Sequence, residues 1–215
     1  VISVAPVIAA KTGKDMEAIA DMWMKRAKVV FQRAATETFR VKLGLRSDQE
    51  HADNLWKELE PLLRGSRVDW TLFWRQLTYV AKDFPDLEST DYEEMMVSLE
   101  GEDESSPFYE PLSPDLRKQW KGWMEKWREA LQAASSTEGT DVYERMRTIN
   151  PKYILREWML VDAYTAAGNG DESILQDLYE LIQVPYDEGS PEMERKYYRR
   201  APESALRAGG TAFMS

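Results

Sequence analysis

The stretch Asn150–Val161 reads N-P-K-Y-I-L-R-E-W-M-L-V. Asn is a strong helix N-cap, and Pro151 falls at the first helical position, where its missing N–H costs nothing. Behind them Tyr153, Ile154, Leu155, Trp158, Met159, Leu160 and Val161 leave almost no wet face. At about 100° per residue Lys152 and Arg156 lie near each other, while Glu157 and Asp162 point elsewhere. The spacing predicts a helix from Asn150 that is apolar most of the way round and packed on several sides at the centre of an all-α fold. Arg156, set among Tyr153, Ile154, Leu155, Trp158 and Met159, would be at least partly desolvated. It then needs a carboxylate or helix-end carbonyls as partner.

Working toward the N-terminus, Ala133–Thr140 is a small, polar linker, followed by a short helix over Asp141–Thr148. Before it, Ser113-Pro114 opens a helix on which Leu116, Trp120, Trp123, Trp127 and Leu131 recur at spacings of 4, 3, 4 and 4. Such a stripe could stack a base or sugar; packing in a buried seam is the favoured reading. Residues 83–110 hold eleven acidic side chains and no Lys or Arg, so this stretch carries −11 and the other 187 residues +1. It reads as an insertion with a short helix over Asp91–Leu99, docked by Tyr92, Met95 and Met96, and a solvated loop. A calcium loop needs a Gly at its sixth position, which 86–91 lacks. Asp69 caps a helix with Phe73, Trp74, Leu77 and Val80 on its buried side, ended by Pro85. Ser47-Asp48-Gln49-Glu50 is a capping box for a helix carrying Leu55, Trp56, Leu59, Leu62 and Leu63. Asp15 caps a long helix from Met16 to Leu43, patterned by Ile19, Met22, Trp23, Val30, Phe31 and Phe39, with Gly44 after its end. Val1–Ala10 is an extended lead-in.

Toward the C-terminus, Gly168-Asn169-Gly170 breaks the chain between helices. Asp171 caps a last helix with Ile174, Leu175, Leu178 and Ile182. From Tyr186 on, Pro191, Pro202, Gly209 and Gly210 predict an irregular, basic tail over 186–215. Its last residues, 195–215, carry +4 and would lie on the protein's own acidic surface, pinned by Tyr186, Tyr197 and Tyr198. The expectation is six to eight helices in one helical segment over 1–215, with no β-run of convincing alternation.

Composition excludes several functions. A net charge of −10 argues against general nucleic-acid binding. No run of 18 apolar residues predicts a membrane span. Zero Cys removes thiolate metal sites and Cys nucleophiles, and one histidine, His51, leaves little for His-based acid–base chemistry. Asp83-Phe84-Pro85 has Pro where a kinase D-F-G has Gly, and reads as a helix terminus. Gly168-Asn169-Gly170 follows a helix where a phosphate cradle follows a strand. The residues themselves yield no catalytic, cofactor-binding or metal-binding position. A start at Val1 suggests a fragment or a processed product.

At Asn150–Leu160 the sequence resembles the C-terminal part of the selenoprotein O (YdiU) family. Phe39-Arg40-Val41-Lys42-Leu43-Gly44-Leu45 is similar to the family's M-R-x-K-L-G-L stretch, and Asp69–Leu77 to its D-(Y/W)-T-x-x-F-R-x-L segment. Asn150-Pro151, Leu155-Arg156 and Trp158 are similar to its N-P-x-x-x-L-R-x-W/Y helix. Asp171 with Pro185-Tyr186-Asp187, then Arg200-Ala201-Pro202-Glu203, resemble its last segments. The resemblance implies a protein-kinase-like fold of which this chain is the helical C-lobe part. It implies a full-length adenylyltransferase that uses ATP and a divalent metal, Mg or Mn, to transfer AMP to Ser, Thr or Tyr of target proteins. The nucleotide and metal residues would lie upstream, so none is carried onto this chain, which is expected to bind neither ATP nor metal alone. Implied partners are the missing N-terminal catalytic lobe and protein substrates, with no nucleic acid and no membrane. The compartment would be mitochondrial in a eukaryote and cytoplasmic in a bacterium. Family members end in S-C-x-S or with selenocysteine there, whereas this sequence stops at Ser215. The rival reading is a self-sufficient helical interaction module without catalysis.

Overall fold

In a computed structural model, which describes residues 15–46, 49–134 and 141–207, the all-α expectation holds. Ten helices occur among the described residues, eight of them seven residues or longer. They are α1 (Met16–Lys42), α2 (Gln49–Gly65), α3 (Trp70–Asp83), α4 (Tyr92–Glu100), α5 (Pro114–Ala134), α6 (Val142–Arg147), α7 (Glu157–Gly168), α8 (Ser173–Gln183), α9 (Pro191–Tyr197) and α10 (Glu203–Arg207). Among the described residues the β-structure is one isolated antiparallel bridge, Val68 to Phe108, and no helix is long and apolar enough to cross a membrane. The lead-in Val1–Ala10, Ser47 of the capping box, most of the linker, and Gly209 and Gly210 of the tail lie outside the described residues.

Several boundaries follow from local chemistry. Asp15 and Asp69 accept hydrogen bonds from the Ala18 and Leu72 amides, and so cap α1 and α3. Ser113 Oγ does the same for Leu116 at the start of α5. Gly44 follows α1 at φ +75°, where a side chain would be strained and would also meet Met146 and Val142. α2 runs through Pro61, whose ring sits on the exposed face.

The helix that other elements surround is α3. Ten of its fourteen residues are buried. Phe73, Trp74, Leu77, Val80 and Ala81 enter one core with Leu55, Leu59, Met95, Met96, Leu99, Trp120, Trp123, Trp127 and Met146. Leu72 enters a second core with Tyr153, Trp158, Met159, Leu178, Leu181, Tyr197 and Tyr198. The tryptophans of α5 are therefore packing residues. Their indole N–H groups find acceptors inside: Trp120 on Ser66 Oγ (2.8 Å), Trp123 on the Leu55 carbonyl (3.0 Å), Trp127 on the Leu43 carbonyl (2.9 Å).

The expected helix at Asn150 is corrected. Residues 151–156 are not helical, and α7 begins at Glu157 with Arg156 as its N-cap residue. Tertiary bonds outcompete local propensity here. The amides of Lys152 and Tyr153 both donate to the Pro185 carbonyl (2.8 and 3.1 Å), and the Asn150 carbonyl, which would accept the first bond of a helical ladder, accepts from Arg75 (3.1 Å). The Asn150 side chain donates to the Lys42 carbonyl and to Thr78 Oγ1 and accepts from Lys42 Nζ, so it is unavailable as a cap. Nor is the segment wrapped on all sides: Leu155, Val161 and Tyr164 are exposed. The tail, expected to be irregular from Tyr186, is also corrected: among its described residues it holds α9, capped by the Ser190 side chain with Pro191 at the first position, and α10. Two smaller differences accompany these. α1 is helical as expected, but Met22, Trp23, Val30 and Phe31 face solvent. Glu172, one residue after Asp171, is the N-cap position of α8, although Asp171 Oδ1 accepts from Ser173 N (3.0 Å).

Candidate functional site

Where the extended segment 150–156 crosses α3, ionisable side chains converge below the surface. Arg75 sits on α3 among apolar neighbours and is fully buried. Its guanidinium donates to Tyr79 Oη (3.2 Å), to the Asn150 and Tyr186 carbonyls (3.1 and 3.2 Å) and to Glu188 Oε1 (2.5 Å). Lys152, 2% exposed, donates to Glu188 Oε2 and Glu194 Oε1, both at 2.9 Å. Its ammonium lies 5.0 to 5.9 Å from the ring centres of Tyr198, Tyr153 and Tyr79, within cation–π range. The Tyr153 hydroxyl reaches the Glu188 carbonyl (2.8 Å). Gly189 beside it, at φ +72°, leaves no room for a Cβ, which would meet that hydroxyl at 2.8 Å.

Electrostatics follow from this packing. Burial by itself would raise the Glu188 carboxyl. Hydrogen bonds from Tyr79 and Lys152 and the charges of Arg75 and Lys152 outweigh it and hold the group at about 2. Burial pushes Tyr153 up to about 12 and Tyr198 well above the usual phenol range. On the far side of Asn150, burial draws Lys42 down to about 8 while its ammonium lies 5.0 Å from the Trp74 ring centre. The Glu188 carboxyl lies lower folded than unfolded, so its contribution to stability is complete above about pH 4.5 and fades as pH falls toward 2. Half-exposure and screening hold this to roughly 1 kcal/mol. Chemical denaturation from pH 6 to 3 is expected to show a smaller loss for Glu188→Gln than for the parent chain; equal slopes would remove Glu188 from the account.

A second buried pair ties the N-terminus of α3 to the start of α7. Arg156 and Asp69 are 2% and 0% exposed and form a salt bridge. The Arg156 guanidinium also donates to the Arg199 carbonyl (2.8 Å). Asp69 further accepts from Tyr109 Oη (3.2 Å) and caps α3. The partner that sequence demanded of Arg156 is thus one carboxylate and one carbonyl together. The same region receives the tail. Arg200 donates its backbone N–H to the Glu104 carbonyl (2.9 Å) and its guanidinium to the Phe108 carbonyl, and Arg199 pairs with Glu104 at 3.8 Å. Tyr197 and Tyr198 are buried, while Tyr186 is partly exposed.

These buried cations are matched by carboxylates of the same chain, Asp69 buried and Glu188 and Glu194 half-exposed, an arrangement that locks segments together. Among the described residues no three His, Cys, Asp or Glu side chains converge as a metal site. In the acidic stretch Glu93 and Glu100 are held by Arg117 and Lys121. Asp83-Phe84 is the end of α3, and the Phe84 carbonyl accepts from buried Arg128 (2.8 Å). Gly168-Asn169-Gly170 is the turn between α7 and α8, with Gly170 at φ +85°. His51 lies exposed in the first turn of α2. An open groove of about 970 Å³ runs past Trp56, Leu63, Val68, Trp70 and Tyr109. Its rim guanidiniums are already matched, Arg64 with Glu60, Arg67 with Glu110 and Arg207 with Glu203. Sequence reasoning missed Arg75, Lys152 and Glu188. Their signal was weak but present: cations inside otherwise apolar runs, which require distant carboxylates.

The model of the family described as protein adenylyltransferase SelO matches residues 5–183. A protein nucleotidyltransferase YdiU of Flavobacterium johnsoniae is 33% identical over 181 residues, which are 83% of this chain and 32% of the relative. That of Cupriavidus metallidurans is 33% identical over 167 residues, 78% of this chain and 27% of the relative. One from Rhodopirellula baltica is 27% identical over 188 residues, 86% and 34% respectively. The chain therefore spans about a third of the length of the curated relatives it matches. With the family model covering most of its residues, the chain belongs to the SelO family of nucleotidyltransferases.

Proposed function

We propose that this chain is the helical C-terminal part of a protein adenylyltransferase with a kinase-like fold, in which it supports the lobe that holds ATP and a divalent metal, Mg or Mn. The observation that carries the reading is the family match over residues 5–183 combined with coverage of about a third of each relative. The whole protein would transfer AMP from ATP to Ser, Thr or Tyr of target proteins. Transfer of this kind depends on positioned cations, a phosphate cradle and metal-holding carboxylates. The clustered cations of this chain do not fit that role: Arg75, Lys152 and Arg156 are buried and paired within it. The metal does not fit these residues either, so no step is assigned to them. What they do is hold the α7–α9 region against α3. The compartment would follow the source, cytoplasm in a bacterium and mitochondrion in a eukaryote.

Titration calorimetry of the 215-residue chain with ATP and Mg is expected to register no binding; micromolar, Mg-dependent binding would overturn the supporting role.

A further inference from the structure

From Asp21 to Ala34 every residue of α1 is exposed. At 1.5 Å per residue that is roughly 20 Å of helix clear of the other described elements. A helical stretch this short is marginal in water without packing. Its sequence carries a packing surface. Met16, Ala20, Trp23, Ala27, Val30 and Ala34 recur at spacings of 4, 3, 4, 3 and 4, the seam of a helix that pairs with another helix. Large residues alternate with alanines, which let a second backbone approach closely. One edge of the seam is basic, with Arg26 and Arg33; the other is apolar, with Met24 and Phe31. Trp23, Val30 and Phe31 are 39%, 62% and 73% exposed, more apolar surface than scattered single residues account for.

We infer that this seam docks a helix from the remaining two-thirds of a family-length polypeptide, and that this helix presents an apolar stripe edged by carboxylates opposite Arg26 and Arg33. The inference rests on the reading of the chain as one part of a longer transferase. Length supports it, since the relatives are about three times as long as the stretch they share with this chain. Charge argues against a second copy as occupant. An antiparallel pair that sets each alanine against a large residue places Arg26 of one copy beside Arg26 of the other. A parallel pair sets the basic edge against Met24 and Phe31, with no carboxylate for either arginine.

The chain itself supplies the first test, with Trp23→Glu and Val30→Glu combined. The expected result is a monomer in the analytical ultracentrifuge, before and after substitution, and a melting midpoint within about 2 °C of the parent, as for an uncovered surface. A fall of the size a core substitution causes, or a dimer that the substitutions dissolve, would overturn the inference. The second test is hydrogen exchange. In the intact Flavobacterium johnsoniae relative, the segment corresponding to α1 is expected to exchange at least about 100-fold more slowly than Met22–Ala34 of this chain alone. Equal rates would overturn the docking. AMP transfer measured on the same preparation separates the two readings: a protected helix without activity supports docking and sinks the transferase, and an active enzyme with fast exchange sinks docking alone.

Discussion

Replacing Asp69 by asparagine is expected to destabilise the protein by about 3–5 kcal/mol, because it leaves the Arg156 guanidinium buried without its counter-charge. Asparagine keeps an oxygen for the Leu72 amide, so the cap on α3, worth about 1 kcal/mol, is largely retained. Urea denaturation monitored by circular dichroism reads the difference. Arg156→Leu and Arg156→Ala then separate charge from packing. Both leave Asp69 without its cation, but leucine fills much of the space between Asp69 and the Arg199 carbonyl, so it is expected to cost less than alanine. If the two melt identically, packing by the arginine stem contributes nothing. The double variant Asp69→Asn with Arg156→Leu is expected to be more stable than the sum of the single losses implies, since no charge then stays buried alone.

Trp127→Ala is expected to have the other large effect, about 3–5 kcal/mol. The side chain is fully buried in the larger core and stacks on Trp123, ring centres 6.1 Å apart. Its indole N–H also satisfies the Leu43 carbonyl at the end of α1. Truncation opens a cavity and leaves that carbonyl without its partner, two losses that add. At roughly 2–4 °C per kcal/mol for a chain of this size the melting midpoint should fall by about 10 °C. Trp127→Phe, which keeps most of the volume and loses the N–H, should fall much less. A change under 2 °C for the alanine variant would show that the α5 stripe is not the core element the structure describes.

What residues and spacing determined on their own is the helical class, most helix positions and the burial of the tryptophan stripe. These features are local. Asp15, Asp69 and Ser113 cap with their own oxygens, Gly44 and Gly170 end helices by conformational freedom, and apolar residues at 3.6-residue period declare their face. Family kinship was legible too, because its motifs lie in order along the chain. Tertiary structure alone decided which helix is central and what the segment from Asn150 becomes. Cap, proline and apolar run all favoured a helix at 150–156 locally. The Pro185 carbonyl takes the Lys152 and Tyr153 amides, Lys42 and Thr78 take the Asn150 side chain, and Glu188 and Glu194 pair with the Lys152 ammonium. Each of these partners is 30 or more residues away, and together they outweigh a propensity worth only tenths of a kcal/mol per residue. The centre of the fold therefore passes from the stretch with the strongest local signal to α3, the helix on which Asp69 and Arg75 wait for cations and carboxylates brought by distant chain.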